Sequence, residues 1–204
     1  SSSNIINKFL DVPKNINQKY IKKINNDKLT NELINNINKI SNLKILVIGE
    51  TIIDRYILSE PLGKPGKDTH IVIRNKSEKN YVGGAAAVAK NVSSFGADIS
   101  FLSCLGEKNE YKKLVESHLG KKVKKFFINK KNSPTIIKKR FIDEINNHKL
   151  FGEYFLNDNQ ISKKDENKII SFLNKKKYDL VILLDYGHGL ITKKIIQKLK
   201  KTTK

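Results

Sequence analysis

The sequence predicts an α/β fold in which helices cover both faces of a parallel sheet and a small, separate β-sheet accompanies it. Two continuous apolar runs, Lys44–Gly49 (KILVIG) and residues 179–184 (DLVILL), have the composition of strands buried on both faces. Segments with helical spacing alternate with such runs, which is the pattern of parallel sheets with crossover helices. Residues 57–81 and 135–155 instead alternate apolar and polar residues, which predicts antiparallel strands with one face exposed to solvent.

The remaining core elements follow the first strand in regular alternation. Ser162 and Asp165 fit a capping box, which predicts that a helix begins there. The other predicted elements are helices over residues 84–95, 109–119 and 192–201, and strands over residues 98–105, 123–128 and 179–184. This order gives a core sheet of four strands with a helix after each strand.

The first 42 residues differ in composition from the rest. Residues 1–28 are polar and rich in Asn and Lys, and apolar residues then recur at helical spacing up to Ile40. We interpret residues 1–42 as a linker and a helix, and residues 43–204 as a globular domain. The chain does not begin with methionine, so we expect it to be an internal part of a longer protein.

Composition and charge narrow the classes of function. No apolar run approaches the ~20 residues of a membrane-spanning helix, and a single cysteine, Cys104, suits a reducing cytoplasm. The net charge of +20 comes almost entirely from lysines spread along the chain, with only three arginines. We interpret this charge as a solvated surface rather than a specific nucleic-acid site, although a non-specific affinity for polyanions is expected.

Two candidate site segments lie near the first strand, and both have a structural alternative. Asp54 follows the strand that ends at Gly49, and its carboxylate could accept hydrogen bonds from sugar hydroxyls, or it could cap a turn or pair with Arg55. Gly83 and Gly84 open a helix of small residues, where backbone can approach a ligand closely. Close packing of the helix on the sheet would explain the same glycines.

Two further segments carry charge at the ends of predicted strands, where open α/β sheets bind ligands. Lys138 and Arg140 are two residues apart on one face of a strand and could meet a phosphate, or they could be solvated surface residues. Asp185 follows the strand over residues 179–184 and precedes a glycine-rich turn. It could bind substrate, lie near a magnesium-bound phosphate through a water, or cap that turn.

Taken in order, four motifs resemble the ribokinase/PfkB carbohydrate kinases, and most closely the heptose-phosphate kinase branch that occurs fused to a nucleotidyltransferase. The motifs are ILVIGE with IDRY (residues 45–56), GGAAAVAKN with SFGA (residues 83–97), PT with KKR (residues 134–140), and the strand ending in DYGHGL (residues 178–190). The resemblance covers residues 43–204, which would form the N-terminal part of such a kinase domain. It implies a ribokinase-like fold whose lid sheet covers a sugar.

The resemblance also implies roles for individual residues and partners. Asp54 would hold sugar hydroxyls, the glycines would line the pocket, and the two cations would meet a sugar phosphate. The substrate-binding candidates are Asp54, Gly83, Gly84, Asn91, Lys138, Arg140 and Asp185. The family transfers a phosphoryl group from ATP with Mg²⁺. Cytoplasmic location and a homodimer through the lid sheet are further expectations, as is the absence of a membrane or specific nucleic-acid partner.

Two departures from the family pattern keep an alternative open. Ala87 stands where the family usually has a substrate-contacting asparagine, and the segment with the catalytic base and the glycine-rich anion site is expected beyond Lys204. The 204 residues alone are therefore expected to be inactive, and a non-catalytic sugar-binding or assembly module is the alternative. The start, SSSNII (residues 1–6), resembles the end of a nucleotidyltransferase domain, which would link the protein to nucleotide-sugar synthesis for cell-surface glycans.

Overall fold

The computed structural model describes residues 19–22, 27–66 and 69–201. The elements, in chain order, are α1 (Asp27–Ile40), β1 (Lys44–Gly49), β2 (Thr51–Gly63), β3 (Val72–Gly83), α2 (Gly84–Ser93), β4 (Asp98–Gly106), α3 (Lys112–Leu119), β5 (Lys124–Lys130), β6 (Ile136–Asp143), β7 (Lys149–Phe155), α4 (Lys163–Asn174), β8 (Leu180–Leu184) and α5 (Lys193–Leu199). The chain divides into two compact units between Asn42 and Leu43. Residues 1–6, which carry the nucleotidyltransferase resemblance, lie outside the described residues.

The core sheet has the order β5-β4-β1-β8, and its three strand pairs are all parallel. Because successive side chains of a strand point to opposite faces, Leu46 and Leu102 pack on one face against α4 and α5. The other face is covered by α2, where Ala85, Ala86 and Ala89 are fully buried. Small side chains allow this close approach of helix and sheet, and the predicted α/β architecture is confirmed.

The lid is a second, four-stranded sheet with the order β3-β2-β6-β7. The sequence pattern predicted antiparallel strands here, and this is correct for β2 with β3 and for β6 with β7. It is wrong for β2 with β6, which run parallel. The period of two shows that one face is exposed, but it carries no information on the direction of the neighbouring strand.

Local sequence explains where the core helices begin. Ser162 is the N-cap of α4, and its Oγ accepts a hydrogen bond from the Asp165 N–H at 3.1 Å. Thr192 does the same for α5 through the Ile195 N–H. These caps satisfy backbone donors that the first helical turn leaves unpaired. Among the described residues, no helix has the length and apolar character needed to cross a membrane.

Candidate sugar-binding site on the lid sheet

The central residue of the candidate site is Asp54, which lies within β2 rather than in a turn. Its neighbours in the sheet are Tyr81 on β3 and Lys138 on β6. Arg140 donates a hydrogen bond from Nη1 to the Asp54 carboxylate, and the two side chains are 21% and 26% exposed. The partner of Asp54 is thus a cation 86 residues away and not the adjacent Arg55.

Gly83 lies directly against this carboxylate. A Cβ added at Gly83 would lie 2.5 Å from Asp54 Oδ2, far inside van der Waals contact. The backbone of Gly83 is extended, with φ −116° and ψ −161°, so its conformation does not require glycine. Glycine is needed at this position because any side chain would displace the Asp54 carboxylate.

Gly84 is required for a different reason. Its φ is +59°, and a Cβ there would lie 2.5 Å from the Glu50 carbonyl oxygen. The next residue, Ala85, donates its N–H to that same oxygen at 2.9 Å. The tight turn places the start of α2 beside the Asp54 carboxylate.

An open hollow of about 590 Å³ extends from Asp54 across the lid face. Tyr56 and Tyr81 meet edge to face in it, with ring centroids 5.6 Å apart, and the Arg140 guanidinium lies 5.4 Å from the Tyr56 centroid. The lining residues are Asp54, Tyr56, Leu58, Ser77, Lys79, Tyr81, Ile142, Asn147 and Lys149. A carboxylate acceptor, aromatic faces and cations are the groups that bind a hydroxylated, negatively charged small molecule.

The two predicted cations differ in their surroundings. Burial lowers the pKa of Arg140, but the hydrogen bond and charge of Asp54, with weaker contributions from Tyr56 and Tyr154, raise the pKa above its usual value. Lys138 is two residues earlier on the same face of β6, and its Nζ lies 5.8 Å from the centroid of the Tyr154 ring. Arg140 is therefore fixed by Asp54, while Lys138 is held by an aromatic face.

Two predicted site residues do not join this cluster. Asn91 is exposed on α2, seven residues or about 10 Å along the helix axis from Gly84. Asp185 is exposed after β8, and its Oδ1 accepts the Gly187 N–H at 2.9 Å. That contact is the turn-capping alternative considered for Asp185. Their binding roles stay predictions.

Sequence reasoning missed Glu50, which follows β1 and is completely buried. Its carboxylate accepts the N–H of Tyr186 at 3.0 Å and the N–H of Leu190 at 3.2 Å, so it holds both ends of the loop after β8. Lys130 donates to the carbonyl of His188 in the same loop at 2.9 Å, and burial lowers the pKa of this lysine. The sequence signal for Glu50 was its position as a charged residue directly after a continuous apolar run.

The structure also bears on the implied magnesium. Within residues 19–22, 27–66 and 69–201, no three His, Cys, Asp or Glu side chains come together in a way that could hold a metal ion.

The parallel core sheet, the separate lid sheet and the carboxylate on lid strand β2 fit the ribokinase type of carbohydrate kinase that the sequence resembles. The pfkB family carbohydrate kinase model matches residues 42–179, and the chain belongs to this family. The phosphofructokinase-2 of Escherichia coli, solved in complex with fructose-6-phosphate, shares the fold with a TM-score of 0.54 at 13% identity, over 80% of this chain and 53% of that one. The predicted ribokinase-like fold is confirmed.

Curated relatives are similar over most of this chain. The bifunctional protein HldE of Nitratiruptor sp. is 30% identical over 156 residues, which is 76% of this chain and 33% of that protein. The bifunctional protein HldE of Aliarcobacter butzleri is 32% identical over 163 residues, with the same coverage of each chain. The chain spans about a third of the length of the curated relatives it matches. The likeness to the heptose-phosphate kinase branch is thereby confirmed.

Proposed function

We propose that this chain is the substrate-binding portion of an ATP-dependent sugar kinase whose substrate is a sugar phosphate of the heptose type. Membership of the pfkB family and similarity to HldE proteins support this proposal. The observation that carries it is the Asp54 carboxylate, fixed by Arg140 and backed by Gly83 at the end of the lid hollow.

Each group of the site has a part in this proposal. Asp54 accepts hydrogen bonds from two sugar hydroxyls, because an ionised carboxylate offers several lone pairs. Arg140 presents five N–H donors in a planar fork, and only one nitrogen is engaged by Asp54. The remaining donors and the Lys138 ammonium bind the phosphate of the substrate. Asn91 and Asp185 contribute to the pocket once substrate and ATP are bound.

The wider context is also proposed from the family. ATP and Mg²⁺ are the expected co-substrate and metal, with the catalytic base downstream of Lys204, so the 204 residues bind sugar without turning it over. Residues 1–42 link this domain to a nucleotidyltransferase, and the full protein makes nucleotide-sugar precursors of surface glycans in the cytoplasm.

A homodimer through the lid sheet is part of the same proposal. Phe151 and Phe155 on β7 are 46% and 37% exposed, and Phe151 stacks on Phe141 with centroids 4.3 Å apart. These aromatic side chains lie on the lid face opposite to Asp54, as the strand registers show. A second copy that covers them would leave the hollow open.

One observation favours the alternative of a non-catalytic sugar-binding or assembly module. Ala87 in the first turns of α2 replaces the family's substrate-contacting asparagine, so one polar contact to the sugar is missing. Such a module would bind sugar and not couple binding to ATP. Turnover by the full-length gene product therefore separates the two functions.

Calorimetry with heptose phosphates, hexose phosphates and the free sugars tests the site. We expect 1:1 binding that requires the phosphate, and loss of binding in Asp54→Asn. Glu153→Gln is the matched control, because Glu153 pairs with Lys139 at 2.7 Å on the opposite face of the same sheet. If both variants bind like the parent chain, Asp54 is not the sugar ligand. If the full-length protein binds sugar but never consumes ATP with it, the alternative is correct.

A further inference from the structure

Arg55 on β2 joins the lid sheet to the core. Its side chain points to the opposite face of β2 from the neighbouring Asp54, because successive side chains of a strand alternate. The guanidinium donates from Nε to Asn80 Oδ1 on β3 at 2.8 Å, and from Nη2 to the hydroxyl of Tyr111 in the core. Its Cζ also lies 5.9 Å from the centroid of the Tyr111 ring, and Nη1 is 4.0 Å from Glu78 Oε2. Arg55 therefore does not face the sugar site, but it connects the strand of that site to the core.

Tyr111 belongs to a well-anchored part of the core. It is the N-cap residue of α3, and its carbonyl oxygen accepts the N–H of Val115 at 3.0 Å. Val115 and Leu119 on this helix are buried, at 0% and 2% exposure. The hydroxyl that accepts the hydrogen bond from Arg55 is thus held by the backbone and the packing of the core.

The loop between β4 and α3, residues 106–111, also holds lid strand β6. Gly106 donates its N–H to Thr135 Oγ1 at 2.9 Å, and that hydroxyl donates to Glu110 Oε2 at 3.3 Å. Thr135 is 1% exposed and directly precedes β6. This one loop of the core therefore contacts both β2 and β6, the two strands that carry the charged pair of the sugar site.

We propose that Arg55 is a positioning residue of the sugar site, which through Tyr111 fixes β2, and with it the Asp54 carboxylate, on the core. This inference rests on the proposed function. A planar guanidinium donates to two acceptors in fixed directions and stacks on an aromatic ring, which the single ammonium of lysine does not do. Arg55 is one of only three arginines in a chain with 40 lysine and arginine residues. Without the contact, β2 would be free to shift on the core, and the carboxylate would meet the sugar in a less defined geometry.

Arg55→Lys and Tyr111→Phe test this role in the full chain, by calorimetry with a heptose phosphate and by hydrogen exchange with mass spectrometry. We expect each variant to weaken binding roughly tenfold, and the double variant to weaken it no more than Arg55→Lys does, because the two side chains form one contact. Peptides from residues 51–58 should exchange faster in all three variants, while peptides from α4 should exchange as in the parent chain. Arg74→Lys is the matched control, since Arg74 lies on the same lid sheet but pairs with Glu60 at 3.2 Å in an exposed position.

The possible results separate this inference from the proposed function. If the parent chain binds no sugar phosphate, the proposed function fails, whereas the exchange of residues 51–58 still decides whether Arg55 fixes β2. Unchanged exchange there in both single variants would overturn the inference. Faster exchange with unchanged affinity would show that the contact stabilises the lid without positioning Asp54, and equal acceleration in α4 would show a general loss of stability. Either of these two results would also count against a positioning role.

Discussion

Gly83→Ala should remove sugar binding while leaving the fold nearly intact. The new Cβ would lie 2.5 Å from Asp54 Oδ2, 3.4 Å from the Ile52 carbonyl oxygen and 3.5 Å from Asp54 Cγ. Only the contact with Oδ2 is impossible, and that atom is the end of a side chain that can rotate. The carboxylate must therefore turn away from the position in which Arg140 holds it.

The cost to stability follows from these contacts. An off-rotamer aspartate costs about 0.5–1.5 kcal/mol, and loss of a partly exposed ion pair costs about 0.2–1 kcal/mol. A glycine replaced by alanine in an allowed extended conformation gains about 0.4–1 kcal/mol from the unfolded state. These contributions largely offset one another, so the free energy of unfolding should fall by at most about 2 kcal/mol.

Binding should respond much more strongly. Two hydroxyl contacts to a displaced carboxylate, at about 1.5–3 kcal/mol each, correspond to a loss of roughly a hundredfold or more in affinity. Calorimetry with the sugar phosphate and urea unfolding on the same preparation measure both quantities. Gly84→Ala is the comparison, because its φ of +59° and a contact of 2.5 Å to the backbone oxygen of Glu50 should destabilise the fold itself. A Gly83→Ala protein that binds sugar normally would refute the position assigned to Asp54.

Three other predictions concern groups outside the sugar site. Burial, and secondarily the charge of Glu50, raises the pKa of Cys104 to about 12, so a thiol reagent at mildly alkaline pH should label this residue only after denaturation. Glu50→Gln keeps one acceptor oxygen but places its NH2 group against one of the two backbone N–H groups, those of Tyr186 and Leu190. This change should lower the free energy of unfolding by about 1–3 kcal/mol and speed hydrogen exchange in the loop after β8, as urea titration and mass spectrometry would show. Burial raises the pKa of Asp165, but hydrogen bonds from Lys168 and Ser162 with nearby lysine charge lower it overall. The stabilisation is present above the pKa of an unfolded aspartate and is lost as the pH falls through the lowered folded value, so Asp165→Asn should lose less stability than the parent chain between about pH 5 and pH 3.

The core of the fold was predictable because its signals are local. The apolar run of β1 has the same bounds in the sequence and in the structure, Lys44–Gly49. Ser162 with Asp165 marked the start of α4, and the cap forms as expected. The residues that decide the burial of β1 and the capping of α4 lie only a few positions apart in the chain. Such short-range patterns can be read from a single sequence.

The lid and its site were less predictable because their determinants are far apart in the chain. Aspartate is uncommon in strands, so Asp54 in isolation favours a turn, yet it lies in β2 between strands β3 and β6. Its cation, Arg140, became a site candidate through its rarity and position, without any sign that the two residues form a pair. The parallel pairing that brings them together cannot be read from hydrophobic alternation.

The Asp54–Arg140 pair gives the site a property that neither residue has alone. Two opposite charges in contact on a sheet leave the pair itself close to neutral before the ligand arrives, and each charge limits the movement of the other. A neutral sugar hydroxyl meets a carboxylate that is already oriented, so less conformational entropy is lost on binding. A phosphate meets an arginine whose charge is partly balanced, so Lys138 and the lysines of the hollow, Lys79 and Lys149, must supply the remaining positive charge. Affinity for the phosphate should therefore depend on salt more strongly than affinity for the free sugar does.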